Sequence, residues 1–338
     1  MSIILTILLF GVIVFLHELG HFTVAKLSGV KVNEFAIGMG PKLWQIHRGE
    51  TAYSLRLLPI GGYVSMEGED ESSDDSRAFD NRPALQKIAV LAAGAFMNLL
   101  LGFVLLIITL SMNGELITTT VGGLKDIPTQ SSENLQVGDQ IIRVDGMRVY
   151  TRTDIAWAFQ RAEDHIFEME VVRDGNVQVL PAVDLSVKES TDGSDAVHPT
   201  IQLLSEKVSV GSVLKHAFFE TGSVIKMVWG SLIDLVTGKV GLNQLSGPVG
   251  VAGAVGEAAE TSMASFLMLA AFITINVGIF NLLPIPALDG GRLLFLLIGL
   301  IIRRPIKKEI EGYVNFVGFS LLMLLMLVVT AKDIFNLF

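Results

Sequence analysis

The sequence contains no cysteine. That absence excludes disulfides, thiolate metal sites and a cysteine nucleophile. Charge is scarce as well: charged residues make up 17% of the chain and hydrophobic ones 51%, where a soluble domain usually has about a quarter charged. The shortage is local. Residues 2–16, 88–110, 261–288 and 313–330 carry no charged side chain, and Asn98 is the only strongly polar group in the second stretch. The N-terminus has no basic residue and no small-residue cleavage site follows the first apolar run, so a retained helix fits better than a signal peptide. The net charge is −9, which argues against nucleic-acid binding. Most of the acid lies between the apolar runs, notably over Glu67–Asp80.

A helix needs roughly 20 apolar residues to cross about 30 Å of hydrocarbon. Four spans are expected, over 1–25, 88–110, 261–288 and 313–331. The run at 293–302 is too short to cross alone and is expected to be re-entrant, interfacial or the continuation of a neighbouring helix. Lys26, Lys31, Lys42, Arg48, Arg56, Arg82 and Lys87 follow the first span, and Arg292, Arg303, Arg304, Lys307 and Lys308 lie between the third and fourth. The positive-inside rule then puts 26–87 and 289–312 on the cytoplasmic side, with both termini and the large segment 111–260 outside the cytoplasm.

Residues 115–190 look like a small soluble αβ domain. Alternating runs flank Asp145-Gly146 and Asp174-Gly175, which are hairpin turns, and 153–163 predicts a helix with Thr153 as its cap. Residues 188–198 predict a polar loop. The segment 205–260 predicts an amphipathic helix, over 209–236, and a linker. Segment 35–66 breaks short β-prone runs with Gly38, Gly40, Pro41, Gly49 and Gly61-Gly62, and predicts strands and turns.

The motif that carries chemistry is His17-Glu18-Leu19-Gly20-His21, at the end of the first span. On a helix, histidines at i and i+4 share one face and can grip one cation, while the adjacent glutamate can take a proton from water. Three ionisable groups at the end of an apolar span are expensive without a function. A catalytic zinc needs a third protein ligand. Asp289 is a candidate, in Asn281-Leu-Leu-Pro284-Ile-Pro286-Ala-Leu-Asp289-Gly290-Gly291, where two prolines break the helix. Taken alone, Asp289 could equally cap the next helix or pair with Arg292.

These residues together resemble the site-2 protease family of intramembrane metalloproteases, in particular the bacterial kind with one extracytoplasmic PDZ domain. The resemblance covers essentially the whole chain. It rests on HExxH in the first span, on NxxPxPxLDG as Asn281, Pro284, Pro286, Leu288, Asp289 and Gly290, on Gly38–Leu43 with Leu58–Val64 as a membrane-associated β-loop, and on Ser246–Gly250. The family's AGPxxN pattern reads Ala93-Gly94-Ala95-Phe96-Met97-Asn98 here, without the proline. Residues 121–185 resemble the permuted PDZ domain of these proteases.

The resemblance implies a polytopic α-helical membrane protein with four transmembrane helices, a β-loop and a PDZ domain. It implies Zn2+ held by His17, His21 and Asp289, Glu18 as general base, and Asn281 as a substrate-binding amide; Asn98 is expected to pack. It further implies a multi-pass protein of the bacterial inner membrane, cutting single-span proteins already trimmed by another protease, such as anti-sigma factors or remnant signal peptides. A PDZ scaffold would need none of the four polar residues, and a metal transporter would show several ligand sites along its spans.

Topology is directly testable. Reporters fused after Phe338 or within 121–185 are expected to read as extracytoplasmic, and reporters near Asp75 and Arg304 as cytoplasmic. A cytoplasmic C-terminus would refute the four-span orientation.

Overall fold

A computed structural model of the chain describes residues 2–69, 71, 73–124, 134–162, 166–185, 201–241, 245–304 and 306–335. In chain order the elements are α1 (Ser2–Leu27), β1 (Val32–Arg48), β2 (Thr51–Met66), α2 (Ala84–Met112), β3 (Glu115–Leu124), β4 (Gln140–Val144), β5 (Met147–Arg148), α3 (Arg152–Arg161), β6 (Ile166–Arg173), β7 (Asn176–Asp184), β8 (Ile201–Lys207), α4 (Val210–Val236), α5 (Pro248–Thr261), α6 (Met263–Leu282), α7 (Asp289–Ile301) and α8 (Lys308–Phe335). They form two compact units: Met1–Leu105 with Leu232–Phe338, and Leu106–Ser231.

In the first unit, α1, α2, α6 and α8 are long and apolar enough to cross a membrane. The third is shorter than the uncharged run 261–288. It starts where Ser262 caps it, accepting from the Ser265 amide, and stops at Leu282. Leu283 is extended, as a residue before proline tends to be, and Ala287 sits at φ 72°. The run 293–302 therefore belongs to a separate helix, α7, that begins at Asp289. The glycines after Asp289 are required by this turn. A Cβ on Gly290 would lie 2.1 Å from the Leu283 carbonyl oxygen, and one on Gly291 would lie 2.4 Å from that of Ile285.

The segment 205–260 holds two helices with different anchors, not one helix and a linker. The N-terminus of α5 is tied to α8, where the Asp333 carboxylate accepts from the Gly250 amide at 2.8 Å.

The strands β1 and β2 each fold back on themselves at glycines in the left-handed region, Gly38, Gly40 and Gly61. Residues 32–37 pair with 62–66 on one side and with 52–55 on the other, while 42–48 pair with 51–56. The spatial order of segments is thus 61–66, 32–39, 51–58, 42–48; the register runs antiparallel in the two outer pairings and parallel between 32–39 and 51–58. Segment 61–66 is an edge with one sheet neighbour among the described residues. A polar cluster braces the sheet. Ser54 and Arg56 bond the Glu34 carboxylate, and Arg56 also reaches Tyr63. Burial opposes ionisation of Glu34, but these partners outweigh it and hold its pKa at about 2. The far segments expose Leu43, Trp44, Leu57 and Leu58. At the other end Ala25, Val30, Val32, Met66, Val90 and Leu91 form one buried cluster, which locks the sheet to α1 and the start of α2.

The second unit is an antiparallel sheet in the order β7-β6-β4-β3-β8, with β5 on β4. Both Asp-Gly turns have φ > 0 at their two central residues, the type I′ geometry whose twist suits a hairpin. Their β4–β5 and β6–β7 pairs match the expected strands. The core contains Leu135, Ile141, Phe167, Met169 and Leu180. The helix expected over 153–163 runs Arg152–Arg161, and its cap is Thr151 rather than Thr153. Thr151 and Asp154 make a reciprocal capping box, whereas the Thr153 hydroxyl donates to Glu220 on α4. Residue 163 and the stretch 188–198 lie outside the described residues. On α4 both faces are apolar: Val213, Ala217 and Val224 are buried, and Leu214, Phe218 and Trp229 are exposed.

Arg173 grips the buried Asp139 with two bonds of 2.7 Å. Removing one partner of a buried pair costs about 3–5 kcal/mol, because the other charge is left uncompensated. Arg173→Met is therefore expected to strip hydrogen-exchange protection from β4 and β6. Unchanged protection would show that the pair adds nothing.

Candidate metal centre

HExxH lies three-quarters along α1, and the two buried histidines face α2. The helices touch there because glycine stands on both sides. A Cβ on Gly20 would be 2.5 Å from the Ala93 carbonyl oxygen. On α2, a Cβ on Gly94 would be 2.3 Å from His21 Nε2 and 2.7 Å from His17 Nε2. The imidazoles thus occupy the space that any larger residue at 94 would fill.

Asp289 arrives from the first turn of α7, where it makes no cap. Its Oδ2 lies 3.0 Å from His17 Nε2 and 3.2 Å from His21 Nε2, and the two nitrogens are 3.1 Å apart. Three donor atoms make a nearly equilateral triangle. Ligands on tetrahedral zinc bonds of about 2.0 Å would stand about 3.3 Å apart, so the residues present fit that ion. The backs of the rings are held too. His21 Nδ1 is 2.8 Å from the Val90 carbonyl oxygen, and His17 Nδ1 is 3.2 Å from the Asn98 amide nitrogen. These are the outer contacts that orient metal-binding histidines.

Glu18 is half-buried beside the triangle and lines a cavity of about 550 Å³ together with His21 and Asp289. Val64 lines the same cavity. A Cβ on Gly62 would stand 3.2 Å from Glu18 Cγ and 2.8 Å from the Ala36 carbonyl oxygen, so the edge strand runs close against the glutamate. Tyr63, Ser65 and Met66 of that strand line the cavity, as does Asn315 of α8. The Asn315 side-chain oxygen accepts from the strained Ala287 amide at 3.1 Å, which steadies the turn ahead of Asp289. Arg292 and Glu69 pair at the cavity wall. The carboxylate of Asp289 is thus committed to the histidines, not to Arg292.

The structure brings His17, Glu18, His21 and Asp289 together. Asn281 is half-buried in the last turn of α6 and is not among the residues lining the cavity. Gly62, Val64, Gly94 and Asn315 were invisible as site residues in the sequence, because their contributions are backbone or contact across elements. Asn98 did leave a signal, as the one strongly polar side chain in an otherwise apolar span.

The profile of peptidase family M50 matches residues 5–325. The chain belongs to peptidase family M50. M50 members are zinc metalloendopeptidases of the site-2 type, and with four apolar helices of sufficient length among the described residues the chain is a polytopic membrane protein. Among similar proteins, one from Clostridium perfringens is 39% identical over 99% of this chain and 98% of its own length, and is a zinc metalloprotease by name. One from Clostridium acetobutylicum with the same kind of name is 38% identical over 98% of this chain and 97% of its own length. The regulator of sigma-W protease RasP of Bacillus subtilis is 32% identical over all of this chain and 99% of its own length.

The M50 centre predicts an unusual response at Gly94. Alanine is the better helix former by about 1 kcal/mol, yet Gly94→Ala is expected to drive the imidazoles apart and lower zinc per protein at least tenfold, as measured by elemental analysis of purified protein. Full zinc occupancy would show that the imidazoles do not need that space.

Proposed function

We propose that this protein hydrolyses peptide bonds in or beside the transmembrane segments of single-span membrane proteins, with zinc held by His17, His21 and Asp289. The observation that carries the reading is the triangle of donor atoms 3.0–3.2 Å apart with Glu18 beside it in one cavity. When bound, zinc supplies Lewis acidity that polarises a carbonyl and makes water a nucleophile at neutral pH. Glu18 takes the proton from the attacking water on its carboxylate and returns it to the leaving amine nitrogen.

A helical substrate hides its amides in internal hydrogen bonds and must unwind to be cut. Strand 61–66 lines the cavity and has one sheet neighbour among the described residues, so it can take the unwound stretch by strand addition. The exposed apolar residues of the far segments suit a sheet immersed at the membrane. Asn281, in the last turn of α6 before the proline break, is read from the resemblance as a substrate-binding amide.

The remaining features follow the resemblance in the sequence. The protein is placed in a bacterial inner membrane, with the metal centre towards the cytoplasm and residues 115–190 and both termini outside it; the distribution of lysine and arginine supports this orientation. The second unit serves as a PDZ domain that disfavours substrates with bulky ectodomains. The substrates are remnants already shortened by another protease, such as anti-sigma factors or leftover signal peptides; the likeness to a protein named as a regulator of sigma-W protease supports the first class.

The test uses purified full-length protein and a single-span substrate in liposomes. Glu18→Gln is expected to keep zinc and lose cleavage by at least a thousandfold. Asp289→Asn keeps the shape but removes the charge, and is expected to lose both. Wild-type cleavage by Glu18→Gln would refute the mechanism. Full zinc and turnover in Asp289→Asn would remove it from the site.

A further inference from the structure

Val90, Gly94 and Asn98 recur every four residues, so they form one stripe on α2. That stripe faces His21 and His17, also four apart, on α1. Gly94 makes room for both rings, and Val90 meets Nδ1 of one. Asn98 meets Nδ1 of the other.

We propose that Asn98 is a positioning residue of the metal centre: its side-chain carbonyl accepts the Nδ1–H of His17 and so aims the Nε2 lone pair of that ring at the metal. The proposal rests on His17 being a ligand.

The argument is one of donors and acceptors. A neutral imidazole has one N–H and one lone pair. If Nε2 coordinates, Nδ1 must carry the proton and needs an acceptor. For His21 the matter is settled by chemistry, because the Val90 backbone carbonyl can only accept. For His17 the partner is an amide with a donor at one end and an acceptor at the other. The structure turns Nδ2 towards the ring and leaves Oδ1 buried without a hydrogen-bond partner. A half-turn of the amide exchanges the two ends, and the hydrogen-bond network decides which one faces the ring. One end lacks a partner in either orientation. A metal-bound imidazole is the stronger N–H donor, so its demand prevails.

Two further observations separate this role from simple helix packing. Asn98 is wholly buried, so water cannot substitute as the acceptor. The cross-helix bond to α6 is made by the backbone of Asn98, whose carbonyl accepts from Thr274 Oγ1 at 3.4 Å. The side chain is therefore left to His17.

The experiment measures zinc affinity of the purified full-length protein by competition with a chromophoric chelator, and thermal stability in parallel. Asn98→Leu keeps the approximate shape and removes the acceptor; it is expected to weaken zinc binding 10–100-fold, as loss of an outer-shell partner does. Asn98→Asp restores an acceptor and is expected to bind zinc within a few-fold of wild type. If Asn98→Leu fails to insert, Asn98→Ala is read in its place.

Variants that lose stability while keeping wild-type zinc affinity would overturn the proposal, and so would an Asn98→Asp as weak as Asn98→Leu. His17→Ala separates the two levels. Wild type binding no tighter than His17→Ala would refute the ligand reading itself. Wild type binding tighter, with Asn98→Leu equal to wild type, would refute only the role of Asn98.

Discussion

The approach of α1 to α2 at Gly20 and Gly94 is the constraint on which the centre depends. Two imidazoles must lie between the helices, side by side, with Nε2 atoms 3.1 Å apart. Without a Cβ on Gly94 the rings can rest on the backbone of α2, and the same closeness brings the Val90 carbonyl and Asn98 within reach of their far nitrogens. Room for the rings and orientation of the rings thus come from one stripe of one helix. Close packing of small residues is how helices associate where apolar burial alone gives no preference for a neighbour over lipid.

The third donor depends on a broken helix. A continuous helix through 261–301 would satisfy its own backbone, with no reason for a turn at 289. Pro284 and Pro286 prevent that, Ala287 takes a positive φ steadied by Asn315, and Gly290 and Gly291 let the first turn of α7 fold tightly against residues 283–286. The exposed backbone of this turn lies against protein and a polar cavity, the setting in which non-helical backbone is tolerated at membrane depth. The break is therefore part of the centre: it carries the carboxylate to the histidines.

The sheet supplies what helices cannot. A helix has no free backbone edge, whereas segment 61–66, with one sheet neighbour among the described residues, runs close beside Glu18. Gly62 permits the approach, since a side chain there would meet both Glu18 and Ala36. The Glu34, Ser54, Arg56 and Tyr63 cluster ties three segments of the sheet together next to the buried apolar cluster that holds Val32 and Met66. Position, not residue type, makes this strand part of the site.

Four spans, two Asp-Gly hairpins and HExxH were legible in the sequence, because each depends on local pattern: hydropathy over about 20 residues, turn chemistry over two, helical spacing over five. The cap at Thr151 was missed by two residues, since Thr153 has the same propensity and only the contact with Glu220 tells them apart. Asn98 was legible as an anomaly but not as a partner of His17. Asp289 could be named yet not placed, being 268 positions from His21. By itself the sequence determined the membrane-spanning character, the hairpin turns and the pair of histidines on one helix face. Only the tertiary structure decided that Asp289 joins them, that Gly94 gives them space and that strand 61–66 borders Glu18, because each of these depends on distances between elements that no local periodicity encodes.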